Sequence, residues 1–202
     1  MTGITGGIGS GKSTIAKALI KRGLTVYDCD QEAKRIIAED EEVRKAIIGL
    51  LGNESFVNGR YNTAYVAKRV FEDRTLLEQL NGIVHPTVRK DIVQKQPDFV
   101  ESAILYEAGM ADLCEKVIVV EAPEDVRIAR TIARDYQGEA TAENIDKVRA
   151  RIEAQGEVRS QDSEVSHQHS ELSRQPSAIS IQNDGKRSVE ELAEEVISWC
   201  KK

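Results

Sequence analysis

Residues 3–14 read GITGGIGSGKST, and Gly6, Gly11, Lys12 and Ser13 within them satisfy GxxxxGK[ST] in full. Few short stretches constrain a fold more tightly. The pattern works as a bend between a β-strand and an α-helix, because its glycines let backbone N–H groups curl inward toward the positive end of the helix that follows. Such a cradle suits phosphate, which carries several negative charges and strong acceptor oxygens. Lys12 would reach the β and γ phosphates of a nucleoside triphosphate, Ser13 would bind Mg2+ through its hydroxyl, and Thr14 would donate to the α phosphate. The loop therefore specifies a strand, a helix and a nucleotide together.

The rest of the chain alternates in the manner this start requires. Residues 3–5 read as the end of a very short strand, 13–21 as a helix, and 24–27 as a β-rich run after the Gly23 break. Helical patterns follow at about 31–51, 63–71 and 74–83, with an Asn58-Gly59 turn signal between the first two, and another helix is expected to begin at His85-Pro86. Residues 99–104 read as a short buried strand and 116–121 (KVIVVE) as the clearest strand of all. Pro123 opens a helix to about Arg134, and a charged helical stretch with the look of a solvated flap runs over 135–155. Residues 156–177, rich in Ser, Gln and Glu, read as a mobile connection. A last strand over 177–182, an Asn183-Asp184-Gly185 turn and an amphipathic helix over about 188–199 complete the pattern. Strands separated by helices imply a mostly parallel sheet covered on both faces.

Composition narrows the function. With 202 residues and a net charge of −6, the chain fits a single domain with an appended flap and disfavours general binding to nucleic acid or anionic membrane. No run of 18 apolar residues occurs, and Cys29, Cys114 and Cys200 lack the spacing of a disulfide framework or zinc site. A reducing cytoplasm is the expected setting. Cys29 lies between two acids, which disfavours its thiolate. There is no NKxD to read guanine, the one DxxG (135–138) falls in the charged stretch, and no long apolar strand ends in Asp-Glu. A switch GTPase and a motor ATPase are both disfavoured, and a small kinase with a second small-molecule substrate remains.

A hydroxyl acceptor calls for a nearby carboxylate to orient it and take its proton. Asp28 and Asp30 lie just past the second expected strand, at the sheet edge where open α/β folds gather ligands. If the extended backbone continues, the two side chains point the same way. Asp30 is equally the residue type that caps a helix starting near Gln31, a role compatible with catalysis. Glu101 is a candidate to order magnesium through water, or else a solvated acid at a strand end. His85 would contact an anionic or hydroxylated acceptor, or serve the helix start. Arg130 and Arg134, one turn apart, would neutralise the transferred phosphoryl group, or else bridge surface acids. His167 and His169 form an HxH in the polar connection, with no chemical role expected.

Taken together, ITGGIGSGKST, VYDCD (26–30), NGIVHP (81–86), ESAILYEAG (101–109), VIVVEAPEDVRIARTIARD (117–135), RIEAQ (151–155) and IQNDG (181–185) resemble the dephospho-coenzyme A kinase family. The resemblance implies a three-layer α/β kinase fold like that of nucleoside monophosphate kinases, with a five-stranded parallel core. It also implies a helical acceptor-binding region at about 31–96 and a lid at about 135–160. The implied reaction is ATP- and Mg2+-dependent phosphorylation of the 3′-hydroxyl of dephospho-coenzyme A, by a monomer or weak homo-oligomer. Asp30 matches the family's base, with Lys12 and Arg134 as its catalytic cations. Gly9, Ser10, Gly11, Lys12, Ser13 and Thr14, with Arg130, Asn183 and Gly185, match the nucleotide site. Asp28, His85 and Glu107 fall on the acceptor side. The chain departs from the family pattern after Gln155, which leaves another small-molecule kinase or a nucleotide-binding protein of reduced turnover as the alternative.

Overall fold

The computed structural model describes residues 1–166 and 176–201, with the backbone alone over 156–166. In chain order it contains β1 (Thr2–Gly6), α1 (Lys12–Lys21), β2 (Val26–Asp28), α2 (Cys29–Glu39), α3 (Glu41–Leu51), β3 (Phe56–Val57), β4 (Arg60–Tyr61) and α4 (Thr63–Glu72). It continues with α5 (Arg74–Lys95), β5 (Phe99–Glu101), β6 (Lys116–Glu121), α6 (Glu124–Asp135), α7 (Ala142–Ser166), β7 (Ser177–Gln182) and α8 (Val189–Cys200). Two compact units emerge, one of residues 1–26 with 97–202 and one of residues 27–96.

The first unit is built on a five-stranded sheet ordered β2-β5-β1-β6-β7. β1 runs parallel to β5 and to β6, and β6 runs parallel to β7. Although short, β1 pairs along its whole length, with Thr2 opposite Lys116 and Gly6 opposite Val120, and all five of its residues are buried. On one face Ile4, Ile118, Val120 and Ile181 of the sheet pack with Ile15 and Leu19 of α1 and Leu192, Ala193 and Val196 of α8. Each large apolar side chain buried there is worth roughly 1.5–3 kcal/mol. α8 starts where Ser188 and Glu191 satisfy each other's backbone N–H groups in a capping box.

The second unit is helical, with α2, α3 and α4 each packed on α5. Its sequence pattern is interrupted where side chains cap. The helix expected over 31–51 is two helices, because the Asp40 backbone is extended and its carboxylate accepts the N–H groups of Glu42 and Val43. The Asn58-Gly59 signal is realised as a two-residue hairpin between β3 and β4, both residues having positive φ (50° and 79°). Conversely, the boundary expected at His85-Pro86 is absent. α5 continues through Pro86, its buried Leu80, Val84, Val88 and Ile92 recurring every four residues. One continuous buried stripe outweighs the backbone hydrogen bond that proline removes.

Three further expectations change. The strand expected over 99–104 stops at Glu101, and the chain turns as Ser102 Oγ accepts the Ile104 N–H at 3.2 Å. The flap is not fully solvated, since Val148 and Ile152 of α7 are buried against Ile132 of α6 and pack with Ile8 of the glycine loop. The connection expected over 156–177 is helical as far as Ser166, and β7 begins at Ser177. His167 and His169 lie outside the described residues.

Candidate active site

α2, α3, α4, α5, α7 and α8 begin at an Asp, Asn, Thr or Ser whose side chain accepts a first-turn N–H, and α6 carries Glu124 and Asp125 in its first turn. α1 has neither feature. It begins at Gly11, with φ of 94°, no capping side chain and no acid in its first turn. Its positive end is left for a ligand, and an anion suits it best.

The loop that leads into α1 is held from behind. Gly9 and Gly11 lie so close to the Arg127 carbonyl and the Asn183 amide that a Cβ at either position would collide. Asn183, buried at the end of β7, donates from Nδ2 to the Ser10 carbonyl at 2.8 Å. Arg130 donates to the Asn183 carbonyl at 3.0 Å and to Asn183 Oδ1 at 3.1 Å. Gly185, also at positive φ, lies beside the same guanidinium. Lys12 is buried and donates from Nζ to the Gly7 carbonyl at 3.3 Å, folding back over the loop. Ser13 and Thr14 are exposed in the first turn of α1. Residues 9–14, Arg130, Asn183 and Gly185 thus form one assembly in this unit.

Glu101 ends β5, the strand beside β1, in register with Ile4. It is buried, so the alternative of a solvated acid does not hold. Among the described residues no three His, Cys, Asp or Glu side chains cluster as a metal site. The Ser13 hydroxyl and the buried Glu101 carboxylate are oxygen donors of the kind that suits Mg2+, which keeps water and substrate phosphate oxygens as most of its ligands. Ser13 would supply the protein ligand and Glu101 would act through water. Arg134 donates to Asp135 at 2.6 and 3.1 Å, and Arg151 donates to the same carboxylate at 2.8 Å. Hydrogen bonds from Arg134 and then Arg151 hold the Asp135 carboxyl well below the usual carboxylate range. Glu107 lies in the turn after β5, with both carboxylate oxygens buried.

In the second unit Asp28 and Asp30 do not alternate along a strand, because α2 begins at Cys29. Asp28 takes the capping role expected of Asp30, its Oδ1 accepting the Gln31 N–H at 3.0 Å. Asp30 is left exposed in the first helical turn. Cys29 between them is buried in the core, in keeping with no chemical role. A polar network anchors this helix start to α5: Tyr27 donates to Asp91 at 2.7 Å, and Arg35 and Lys95 each reach both Asp91 and Glu32. Burial and then the Asp91 hydrogen bond raise the Tyr27 hydroxyl, which stays protonated. His85, half-buried on α5, has its pKa lowered by burial. At neutral pH it offers a hydrogen bond and no charge.

Two residues at the loop carried no assignment from sequence. Arg127 Nε donates to the Ile8 carbonyl at 2.9 Å, and Gln155 Oε1 accepts the Ile8 N–H at 2.8 Å. The spacing of 127, 130 and 134 on one helix was a legible signal for the arginine. Gln155 closes RIEAQ, whose composition names no partner.

An open helix start in a glycine loop, fed by the central strand of a parallel sheet, defines the class as a small P-loop kinase. Two solved kinases share its fold. A Campylobacter jejuni dephospho-CoA kinase shares the fold at a TM-score of 0.62 and 19% identity, covering 98% of this chain and 96% of that one. An Acinetobacter baumannii shikimate kinase shares it at 0.52 and 12%, covering 99% and 92%. The family model described as dephospho-CoA kinase matches residues 1–173, and the chain belongs to that family. Dephospho-CoA kinases of Porphyromonas gingivalis and Fusobacterium nucleatum are 44% and 40% identical over 66% and 72% of this chain, and 69% and 78% of their own.

Proposed function

We propose that the chain transfers the γ-phosphoryl group of ATP to the 3′-hydroxyl of dephospho-coenzyme A, giving coenzyme A and ADP. The observation that carries this reading is the family match over residues 1–173, which includes both the glycine loop and the Asp28–Asp30 helix start. The uncapped start of α1 supports the donor side.

In this mechanism the bond from the γ phosphorus to the bridging oxygen of ADP breaks as a bond to the 3′ oxygen forms, and the hydroxyl proton passes to the exposed Asp30 carboxylate. The N–H groups of residues 9–13 and Lys12 hold the phosphates while charge shifts onto the transferred oxygens. Magnesium, when held through Ser13 and by Glu101 through water, supplies charge neutralisation on the β and γ phosphates. Arg134, which precedes a lid at about 135–160, would join the transferred group by leaving Asp135. Arg130, with its partners Asn183 and Gly185, borders the adenine side. Asp28, His85 and Glu107 serve the acceptor, within a helical region at about 31–96. Free thiols at Cys29, Cys114 and Cys200 suit a reducing cytoplasm.

A substrate panel tests the reading. With Mg2+-ATP, dephospho-coenzyme A should gain one phosphate by mass spectrometry, while nucleoside monophosphates and shikimate should not. Phosphorylation confined to those other acceptors overturns the substrate, and ATP binding without any product supports the reduced-turnover alternative.

A further inference from the structure

Gln155 takes no part in the roles above, yet it makes a specific contact with the phosphate loop. Its carboxamide is used at both ends. Oε1 accepts the Ile8 N–H at 2.8 Å, and Nε2 donates to the Ala103 carbonyl at 3.4 Å. Ile8 lies in the middle of the glycine loop that follows β1, and Ala103 lies just past Glu101 at the end of β5. These two segments leave neighbouring parallel strands at the same edge of the sheet, paired as Ile4 with Glu101. The side chain therefore ties the phosphate loop to the segment that carries the expected magnesium-ordering acid.

Ile8 is held through its N–H, its carbonyl and its side chain. Its carbonyl accepts from Arg127 Nε at 2.9 Å, and its side chain packs with Ile132 of α6 and Val148 and Ile152 of α7. Its N–H belongs to Gln155. Gly7, Gly9 and Gly11 lie outside any strand and have no side chain with which to hold themselves. Ile8, between Gly7 and Gly9, gives both a fixed neighbour. A carboxamide suits this place because it accepts at one end and donates at the other, whereas a carboxylate only accepts.

We infer that Gln155 is a positioning residue for phosphoryl transfer: by fixing the Ile8 peptide against the Ala103 segment, it lets α7 set the shape of the phosphate loop. This rests on the reading of that loop as the ATP site. Nothing in it depends on which acceptor is used.

The test compares the full-length protein with Gln155→Met, which keeps the length and loses both hydrogen bonds, and Gln155→Glu, which keeps the acceptor, loses the donor and adds a negative charge beside an anion site. ATP affinity by calorimetry, KM for each substrate, kcat and the thermal melt are measured for all three. Loss of one or two hydrogen bonds of ordinary strength predicts ATP affinity and kcat/KM for ATP about tenfold lower in Gln155→Met. Gln155→Glu should lose more than Gln155→Met, with KM for dephospho-coenzyme A within about twofold of the parent in both, since the acceptor touches neither hydrogen bond. ATP affinity equal to the parent in both variants overturns the inference, whether or not the melt shifts. So does parental ATP affinity in Gln155→Met alone, because space-filling would then explain the residue without its hydrogen bonds. If the parent binds ATP but ignores dephospho-coenzyme A, the proposed substrate fails while the affinities still decide the role of Gln155. If the parent binds no ATP, both readings fall.

Discussion

Two helices of this protein begin in opposite ways. α1 starts at a glycine in the left-handed region, with no capping side chain and no acid in its first turn. α2 starts at Asp28, whose carboxylate satisfies the Gln31 N–H, and carries Asp30 and Glu32 within the same turn. Both starts present the positive end of a helix dipole, and the sequence leaves one open while it neutralises the other. The open start can take a polyanion. The neutralised one would repel it, and suits an uncharged hydroxyl whose proton needs an acceptor. In the proposed reaction, one local choice, glycine or aspartate, would divide donor from acceptor chemistry between the two helices.

That division is broken most severely at the open start. Lys12→Ala should lower kcat roughly 10³-fold, because the ammonium that follows charge onto the transferred group is gone. A steady-state assay at saturating dephospho-coenzyme A reads this directly, and a loss under tenfold would show that the backbone cradle suffices alone. At the neutralised start, Asp30→Asn should reduce kcat by about 10²-fold, the lower range for a general base, while calorimetry finds ATP affinity unchanged. Unaltered turnover would reduce Asp30 to a bystander beside the cap. The smallest effect belongs to Asp28→Ala, which should cost about 1 kcal/mol of stability in urea unfolding through the lost cap on Gln31. Were that variant as stable as its parent, the cap would contribute nothing measurable and only the proposed acceptor role would remain for Asp28.

Much of the nucleotide side was legible in the chain, because its chemistry is local. The residues of GITGGIGSGKST expected to hold phosphate are contiguous, and the strand before and helix after them follow from the same motif. KVIVVE formed β6 at the bounds its apolar run suggested, and SAISIQ formed β7. Reading failed where a side chain or a packed stripe outranked the pattern. Asp40 split one expected helix by capping a new one, and the buried residues of α5 carried a helix through Pro86. Asp28 and Asp30 were read as pointing the same way, yet the cap went to the first and the exposure to the second. Extended backbone was assumed where a helix had already begun.

By itself, then, the amino-acid order determined that a strand, a glycine loop and an uncapped helix would meet in a site for phosphate, since each of those depends on neighbours a few residues apart. Which residues hold that loop in shape was decided only by the tertiary structure. Gln155 reaches Ile8 across 147 positions of chain and Asn183 reaches Ser10 across 173. Periodicity and composition report the environment a residue prefers, and a polar side chain on an amphipathic helix prefers water as readily as a backbone amide. The partner is chosen by the packing of α6 and α7 over the loop, which brings Arg127 and Gln155 to the two peptide groups that flank the Ile8 Cα.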